Sequence, residues 1–450
     1  MKKNIFTLVL AFTLIAFSFL NASADQKNKN MLRIAGPYTQ EVIDAFSSLN
    51  PDVKLEFGDD KWVNSDEMMR AMVTKDTQYD VYYISMDWGF DAIKAKRFCA
   101  DLSSSQVLAG FVQSVYPQVR EVVADGDYIA ALPAMLNLKL MAVNQDLLKS
   151  LPEGTMPKDY AAYLSLLLRS EELRESMDIN VIAGAPDRYT LMTELLRQYV
   201  LKHEAEGEPL MFDDEAFIKA AEMIAQFPEE TFLSEEDYDK LAKYPTLFNP
   251  NPQPMDSAGG ETGEALMPIP PLSEDEDPVV EANLDMWIIN PHSTNIPLAV
   301  SFLECAAQAM PVRDRMILCP DVNDPVADEA FETRREKTTD DLAQYQKKLE
   351  DASLEPLQKK ELQEKIETLE AFMKDDMNKW AITPDEISSY RKAAPYTVLP
   401  SKSLFLGFDM GSAIVSLTEI TDQYLAGKLS VKQMVDSLNQ KAQMLYLENR

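Results

Sequence analysis

Between residues 31 and 98 the apolar positions change period again and again. Met31 to Ala35 is an unbroken apolar-rich strand pattern that ends at Gly36-Pro37. Val42, Ile43, Phe46 and Leu49 then recur at helical spacing within 39–49, and Asn50-Pro51 stops the helix. Val53 to Phe57 alternates as a second strand. Met68, Met69 and Met72 mark a short helix over 66–74. Tyr79 to Ser85 is rich in β-formers, and Ile93 to Phe98 begins another helix-like piece. Strands alternating with helices predict a mostly parallel sheet with helices covering it.

Residues 128–148, YIAALPAMLNLKLMAVNQDLL, break this simplicity. Tyr128 to Leu132 reads as a buried strand, and Leu138 to Val143 as another. Between them Pro133 removes a backbone donor and Asn137 interrupts the apolar run. The pattern predicts a break with no room for a surface loop. It fits either a passage between two cores or a bulge or kink in one sheet.

Further along, helices are predicted over 159–168, 190–201, 214–226 and 297–310, with strands over 180–183, 265–269 and 284–289. Residues 335–379 differ, with dense charge of mixed sign. Leu342 and Leu349 are one heptad apart, and Leu362, Ile366, Leu369 and Met373 follow at four, three and four. This predicts an antiparallel helical hairpin turning near 352–356. It reads as two solvated amphipathic helices or, alternatively, as a partner-binding arm. Thr383-Pro384-Asp385-Glu386 starts a helix over 383–393, and two more follow over 413–424 and 429–447.

The chain has 450 residues, more than one ordinary core accommodates, so two lobes are expected. Its 74 acidic and 43 basic residues give a net charge of −31, which repels phosphate backbones and argues against nucleic acid as a partner. Residues 1–24 read as a cleaved signal peptide. Lys2 and Lys3 precede an apolar run, Ile5 to Leu20, and Ala22-Ser23-Ala24 suits cleavage. The run is shorter than the roughly 20 residues a spanning helix needs. The mature chain is therefore expected outside the cytoplasm, periplasmic or extracellular. With no cysteine near the cleavage site, no lipid anchor through an N-terminal Cys is expected. Export permits a Cys305–Cys319 bridge, and the odd thiol is then Cys99.

The two histidines limit catalytic chemistry. His203 lies in a charged stretch and reads as a solvated helix end, while His292 reads as a turn residue. No G-x-S-x-G elbow, H-E-x-x-H helix or phosphate-binding G-x-x-x-x-G-K-[ST] loop occurs. Nothing has the spacing of a metal site, and no cofactor is expected. Paired carboxylates remain open, because acids are abundant.

The order of several short motifs resembles a known family. Tyr79-Asp80-Val81 with Met86-Asp87-Trp88, Asp101-Leu102-Ser103, Tyr128 to Asn144, Met156-Pro157-Lys158-Asp159-Tyr160, Met267-Pro268-Ile269-Pro270 and Gly427-Lys428-Leu429 occur in sequence. Together they resemble the extracellular solute-binding proteins of ABC importers, the family that includes the maltose- and oligosaccharide-binding proteins. The resemblance implies a periplasmic binding protein type II-like α/β fold of two lobes joined by a hinge. Lobe 1 is then 31–136 and 283–320. Lobe 2 is 137–282 and 321–450, with 335–379 as a helical hairpin insertion. Leu132 to Asn137 becomes the first crossing, where Pro and Asn end one sheet before the next begins.

Open α/β sheets bind ligands at the carboxyl ends of their strands. With the resemblance, that implies Trp88, Asp87 and Tyr189 as the leading ligand-binding residues. Met86, Tyr38, Trp62, Asn137, Phe405 and Asp409 follow. Aromatic rings would stack on sugar faces, and Asp or Asn would bind hydroxyls. Trp287, inside a strand, is read as core. The expected function is a non-catalytic, monomeric solute receptor serving a membrane permease, its solute a carbohydrate such as an oligosaccharide. A secreted carboxylate-dependent glycoside hydrolase and a scaffold or adhesion protein on the same fold are the alternatives. The Asn/Pro/Gly-rich stretch 249–263 departs from the family pattern, as does the hairpin.

Overall fold

A computed structural model describes residues 30–58, 65–86, 90–182, 186–207, 209–229, 243–250, 264–349, 355–374, 379–399 and 410–448. Its strands in chain order are β1 (Met31–Ala35), β2 (Lys54–Phe57), β3 (Val81–Ser85), β4 (Ala124–Asp125), β5 (Tyr128–Ile129), β6 (Leu132–Leu138), β7 (Met141–Asn144), β8 (Asn180–Ile182), β9 (Thr246–Asn249), β10 (Glu264–Met267), β11 (Val280–Ile289), β12 (Val326–Ala327), β13 (Trp380–Ile382) and β14 (Thr397–Val398). The chain forms two compact units. One comprises Met1–Asn137, Asn283–Asp321 and Leu399–Lys402; the other comprises Leu138–Ala282, Val322–Val398 and Ser403–Arg450. The passages at 137/138 and 282/283 fall inside β6 and β11.

In the first unit, β2, β1 and β3 lie side by side and parallel, and β11 runs antiparallel to β3 with Asp285 opposite Ser85 and Ile289 opposite Val81. The helix Gln40–Leu49 is started by Thr39, whose hydroxyl accepts from the Val42 N–H. Phe46, on its inner face, meets Phe302 of the helix Ile296–Gln308 at 5.7 Å, and Phe302 in turn meets Trp287. Trp287 is thus core, as its place inside a strand predicts. Under this apolar layer Asp80 is buried and serves as an assembly point. It accepts from the Arg33 N–H at 2.9 Å and from the Ser293 hydroxyl at 2.5 Å, and its own carbonyl accepts from Asn290 N–H. One carboxylate ties β1, the start of β3 and the turn after β11, which explains an acid in an otherwise apolar strand motif.

The second unit has a mixed sheet in the order β10-β7-β9-β8, where only β8 and β9 are parallel. The expectation of mostly parallel sheets therefore fails here. Asn144, Asp159, Asp187 and Asp214 cap the helices Gln145–Ser150, Tyr160–Leu168, Arg188–Glu206 and Glu215–Ile224. Their apolar faces enclose Tyr199, Phe212, Phe217 and Phe248, and the C-terminal helices add Leu417, Met434 and Leu438. His203, expected as solvated, is buried against this cluster. Its Nδ1 donates to the Tyr199 carbonyl at 3.0 Å, and its ring lies 4.4 Å from that of Tyr199.

The charged insertion forms the helices Phe331–Leu349 and Pro356–Lys374, which pack on each other. The strands flanking it, β12 and β13, pair antiparallel, so its two ends return to one place. Among its described residues Ile366 is buried and no residue of Phe331–Leu349 is. Both helices are solvated and amphipathic.

Two further expectations are corrected. The segment 132–138 is not broken at Pro133 and Asn137: β6 runs through both. Pro133 is the second residue of the strand, where a missing N–H is tolerated. The strand pairs instead end at Ala130-Ala131 and at Lys139-Leu140. Cys305 and Cys319 form no bridge; they and Cys99 are buried thiols. Burial pushes the Cys99 thiol up to about 12, so it is an inert core residue. A thiol-reactive chromophore should find no reactive group in the native protein and three after denaturation without reductant; a single one would indicate a bridge.

Candidate functional site

Because β1, β2 and β3 are parallel, their carboxyl ends come together at one edge of the first unit. Gly36 leaves β1 with φ +145°, and a Cβ there would lie 2.2 Å from the Tyr83 Cβ. Only glycine allows the strand to end this close to its neighbour. Tyr38 follows, with its ring exposed and stacked on Phe57, the last residue of β2, at 3.8 Å. At the end of β3 Met86 is buried, and its N–H donates to the Leu284 carbonyl at 2.6 Å. Its side chain belongs to the core of this unit, so it offers no exposed surface there. Trp62, Asp87 and Trp88, which follow β2 and β3, lie outside the described residues.

Beside Met86 is a polar cluster that sequence periodicity missed. Asn283 Nδ2 donates to Ser85 Oγ at 2.6 Å, and Tyr83 Oη donates to Asp285 Oδ2 at 3.3 Å. Asn283 and Asp285 share one face of β11, two residues apart, with Asp285 opposite Ser85. Burial raises the Asp285 carboxyl above the usual range, opposed by hydrogen bonds from Ser85 and Tyr83. Asn283 is exposed, so the cluster has a buried acid at its root and an amide at its tip. An amide and hydroxyl pair at a strand end can donate to and accept from hydroxyl groups alike.

In the second unit Asp187 caps the helix Arg188–Glu206 by accepting from the N–H groups of Tyr189 and Thr190, both at 2.9 Å. This fixes Tyr189 in the first helical turn, half-buried, with its hydroxyl 3.4 Å from Glu229 Oε1. Arg188 packs over the Tyr189 ring at 5.5 Å and pairs with Glu229 at 3.3 Å. Its Nε is buried with no hydrogen-bond partner among the described residues. Arg188 is a polar group at this helix start that periodicity alone does not single out. Asn137 is exposed in β6. Phe405, Asp409 and the stretch 251–263 lie outside the described residues. The structure thus brings Tyr38 and Met86 to neighbouring strand ends of one unit, while Tyr189 stands in the other. Among the described residues no cluster of His, Cys, Asp or Glu could hold a metal ion, and no helix is long and apolar enough to cross a membrane.

No family model matches the chain, and no curated protein matches it in sequence. Solved structures do match it in fold. The GacH receptor of Streptomyces glaucescens, determined unliganded and with acarbose, superposes with a TM-score of 0.53 at 11% identity, over 93% of this chain and 98% of that one. An ABC transporter solute-binding protein of Agrobacterium vitis with bound D-mannitol gives 0.52 at 12% identity, over 93% and 99%. A structure from work on xylan utilization by Caldanaerobius polysaccharolyticus gives 0.53 at 12% identity, over 91% and 99%. This chain has the fold of ABC-importer solute-binding proteins. Its two α/β units are the expression of that type II-like binding-protein fold.

Within this solute-binding-protein fold the long helix Arg188–Glu206 carries Glu194 and engages Glu281 of β11, two acids in contrasting settings. Glu281, which it engages through Arg197, is held below the usual carboxylate range. Burial pushes it up, but hydrogen bonds from Arg197 and the charge of Lys139 outweigh burial. Glu194 has no such compensation. Burial raises it from 4.5 to about 7, and Lys139 opposes only in part. The folded protein therefore holds the Glu194 proton to higher pH than the unfolded chain does. The stability linked to it is fully present below pH 4.5 and is lost as pH rises through 7. Glu194→Gln should flatten that decline and, at pH 8, stabilise the protein by about 2 to 3 kcal/mol. Urea unfolding at pH 4.5 and 8 checks this; an unchanged pH dependence would show that Glu194 ionises freely.

Proposed function

We propose that the chain is a non-catalytic, exported, monomeric receptor that binds a carbohydrate or another polyhydroxylated solute and delivers it to an ABC importer permease. The two units act as its lobes, 31–136 with 283–320 and 137–282 with 321–450, released from a signal peptide over 1–24. The observation that carries this reading is the two-unit fold, matched over nearly the whole chain by solved receptors of which one binds acarbose and another D-mannitol. The polar and aromatic chemistry at the strand tips supports it. Exposed Tyr38 offers a ring face, and Asn283 and Ser85 offer donors and acceptors suited to hydroxyls. Tyr189 with Arg188 adds a ring and a cation at a helix start. On this reading Trp88, Asp87, Trp62, Asn137, Phe405 and Asp409 complete the binding surface. Solute shifts the protein toward a closed form because it makes contacts there that the open form lacks.

A thermal-shift panel of mono- and oligosaccharides, polyols, peptides and polyamines tests the proposal. A binder at about 100 times its Kd adds about 2.7 kcal/mol and raises the melting temperature. We expect a shift from sugars or polyols alone, with the compound recovered intact. Trp88→Ala should abolish the shift and Tyr189→Ala should reduce it. Consumption of the stabilising sugar would point to a hydrolase, and no shift from any class would point to a scaffold.

A further inference from the structure

Three segments leave the second unit within a few residues of one side chain. Leu138 is the first residue beyond the passage in β6, Ala282 is the last before the passage in β11, and Val398 is the last before a later passage at 398/399. Glu281 touches all three roots. Its carbonyl accepts from the Lys139 N–H at 2.8 Å, and its carboxylate accepts from Lys139 Nζ at 2.9 Å. It stands opposite Val398 in the parallel pairing of β11 with β14. Arg197, from the helix Arg188–Glu206, donates to the same carboxylate through Nε at 3.1 Å and through Nη2. One helical turn on, Lys202 donates to Glu276 at 2.6 Å, so the helix grips the incoming segment twice.

The Glu281 side chain is mostly buried, whereas Lys139 is more than half exposed. A mostly buried carboxylate that accepts from charged donors on two sides is held in one orientation. Val280 and Ala282, on either side of Glu281, are buried apolar residues. The roots are therefore held by directional polar bonds and strand pairing set in an apolar surround, and the polar bonds add a fixed direction that apolar contact alone lacks.

We propose that Glu281 is a positioning residue for opening and closure. It binds the second-unit ends of three of the chain's crossing segments into one root, so that bending between the units takes place beyond them. The inference rests on the receptor reading for the purpose of that motion, but its test needs no solute, so the two can fail separately.

Spin labels at two exposed positions, Val107→Cys in the first unit and Glu171→Cys in the second, report the distance between units in the full, ligand-free chain. The native thiols are buried and stay unlabelled. Glu281→Gln and Lys139→Met, each folded by circular dichroism, should broaden the interlabel distance distribution relative to the labelled parent. A lower melting temperature with an unchanged distribution in both would reduce Glu281 to a structural ion-pair partner and overturn the proposal. Should Glu281→Gln fail to fold, Lys139→Met decides alone by the same criterion, because an exposed lysine is dispensable to the core.

Discussion

A strand that leaves one hydrophobic core for another must keep its backbone hydrogen bonds satisfied on the way, since each unpaired buried N–H or C=O costs free energy on the order of 1 to 3 kcal/mol. β6 and β11 meet this constraint together. Each runs unbroken through a passage between the units, and they pair with each other. The bond from Lys139 to Glu281 extends this pairing into the second unit, and the bond from Met86 to Leu284 ties β11 to the end of β3 in the first. Two separately packed cores can then be joined without a loop.

Local rules set up what lies on either side. In the first unit the Asp80 carboxylate gathers β1, β3 and the turn after β11, and the parallel strands bring their ends to a single edge. Gly36 allows β1 to stop against Tyr83, which places Tyr38 and the Ser85–Asn283 pair at that edge. In the second unit aspartate caps start the helices that wrap Tyr199 and Phe248, and one such cap orients Tyr189. The candidate side chains thus sit where element ends are defined by caps and turns, with apolar cores behind them.

The alternating β/α order and the start of most helices were legible in sequence because a side chain signals them. Thr39, Asp159, Asp187, Asp214 and Thr383 each accept from their helix's first turn. The helices Pro117–Val123, Ser170–Met177 and Val312–Leu318, which have no side-chain cap, were not, nor was Gln106–Ser114, although Ser105 caps it. Pro133 misled because proline near the start of a strand costs little, which its neighbours alone do not reveal. Of the candidate site, aromatic residues after strands could be named from their positions. Asp285, Arg188 and Glu281 could not, because their meaning lies in distant partners. Glu281 and Arg197 are 84 residues apart, and no periodicity connects them.

Native-state hydrogen exchange across a denaturant series tests most directly whether two cores are joined by continuous strands. Amides of β1 and β3 should converge on one opening free energy, those of β7 and β9 on another, and the two halves of β11 should divide between them. Convergence of all these strands on a single value and a single denaturant slope would mean one indivisible core, and would contradict the account.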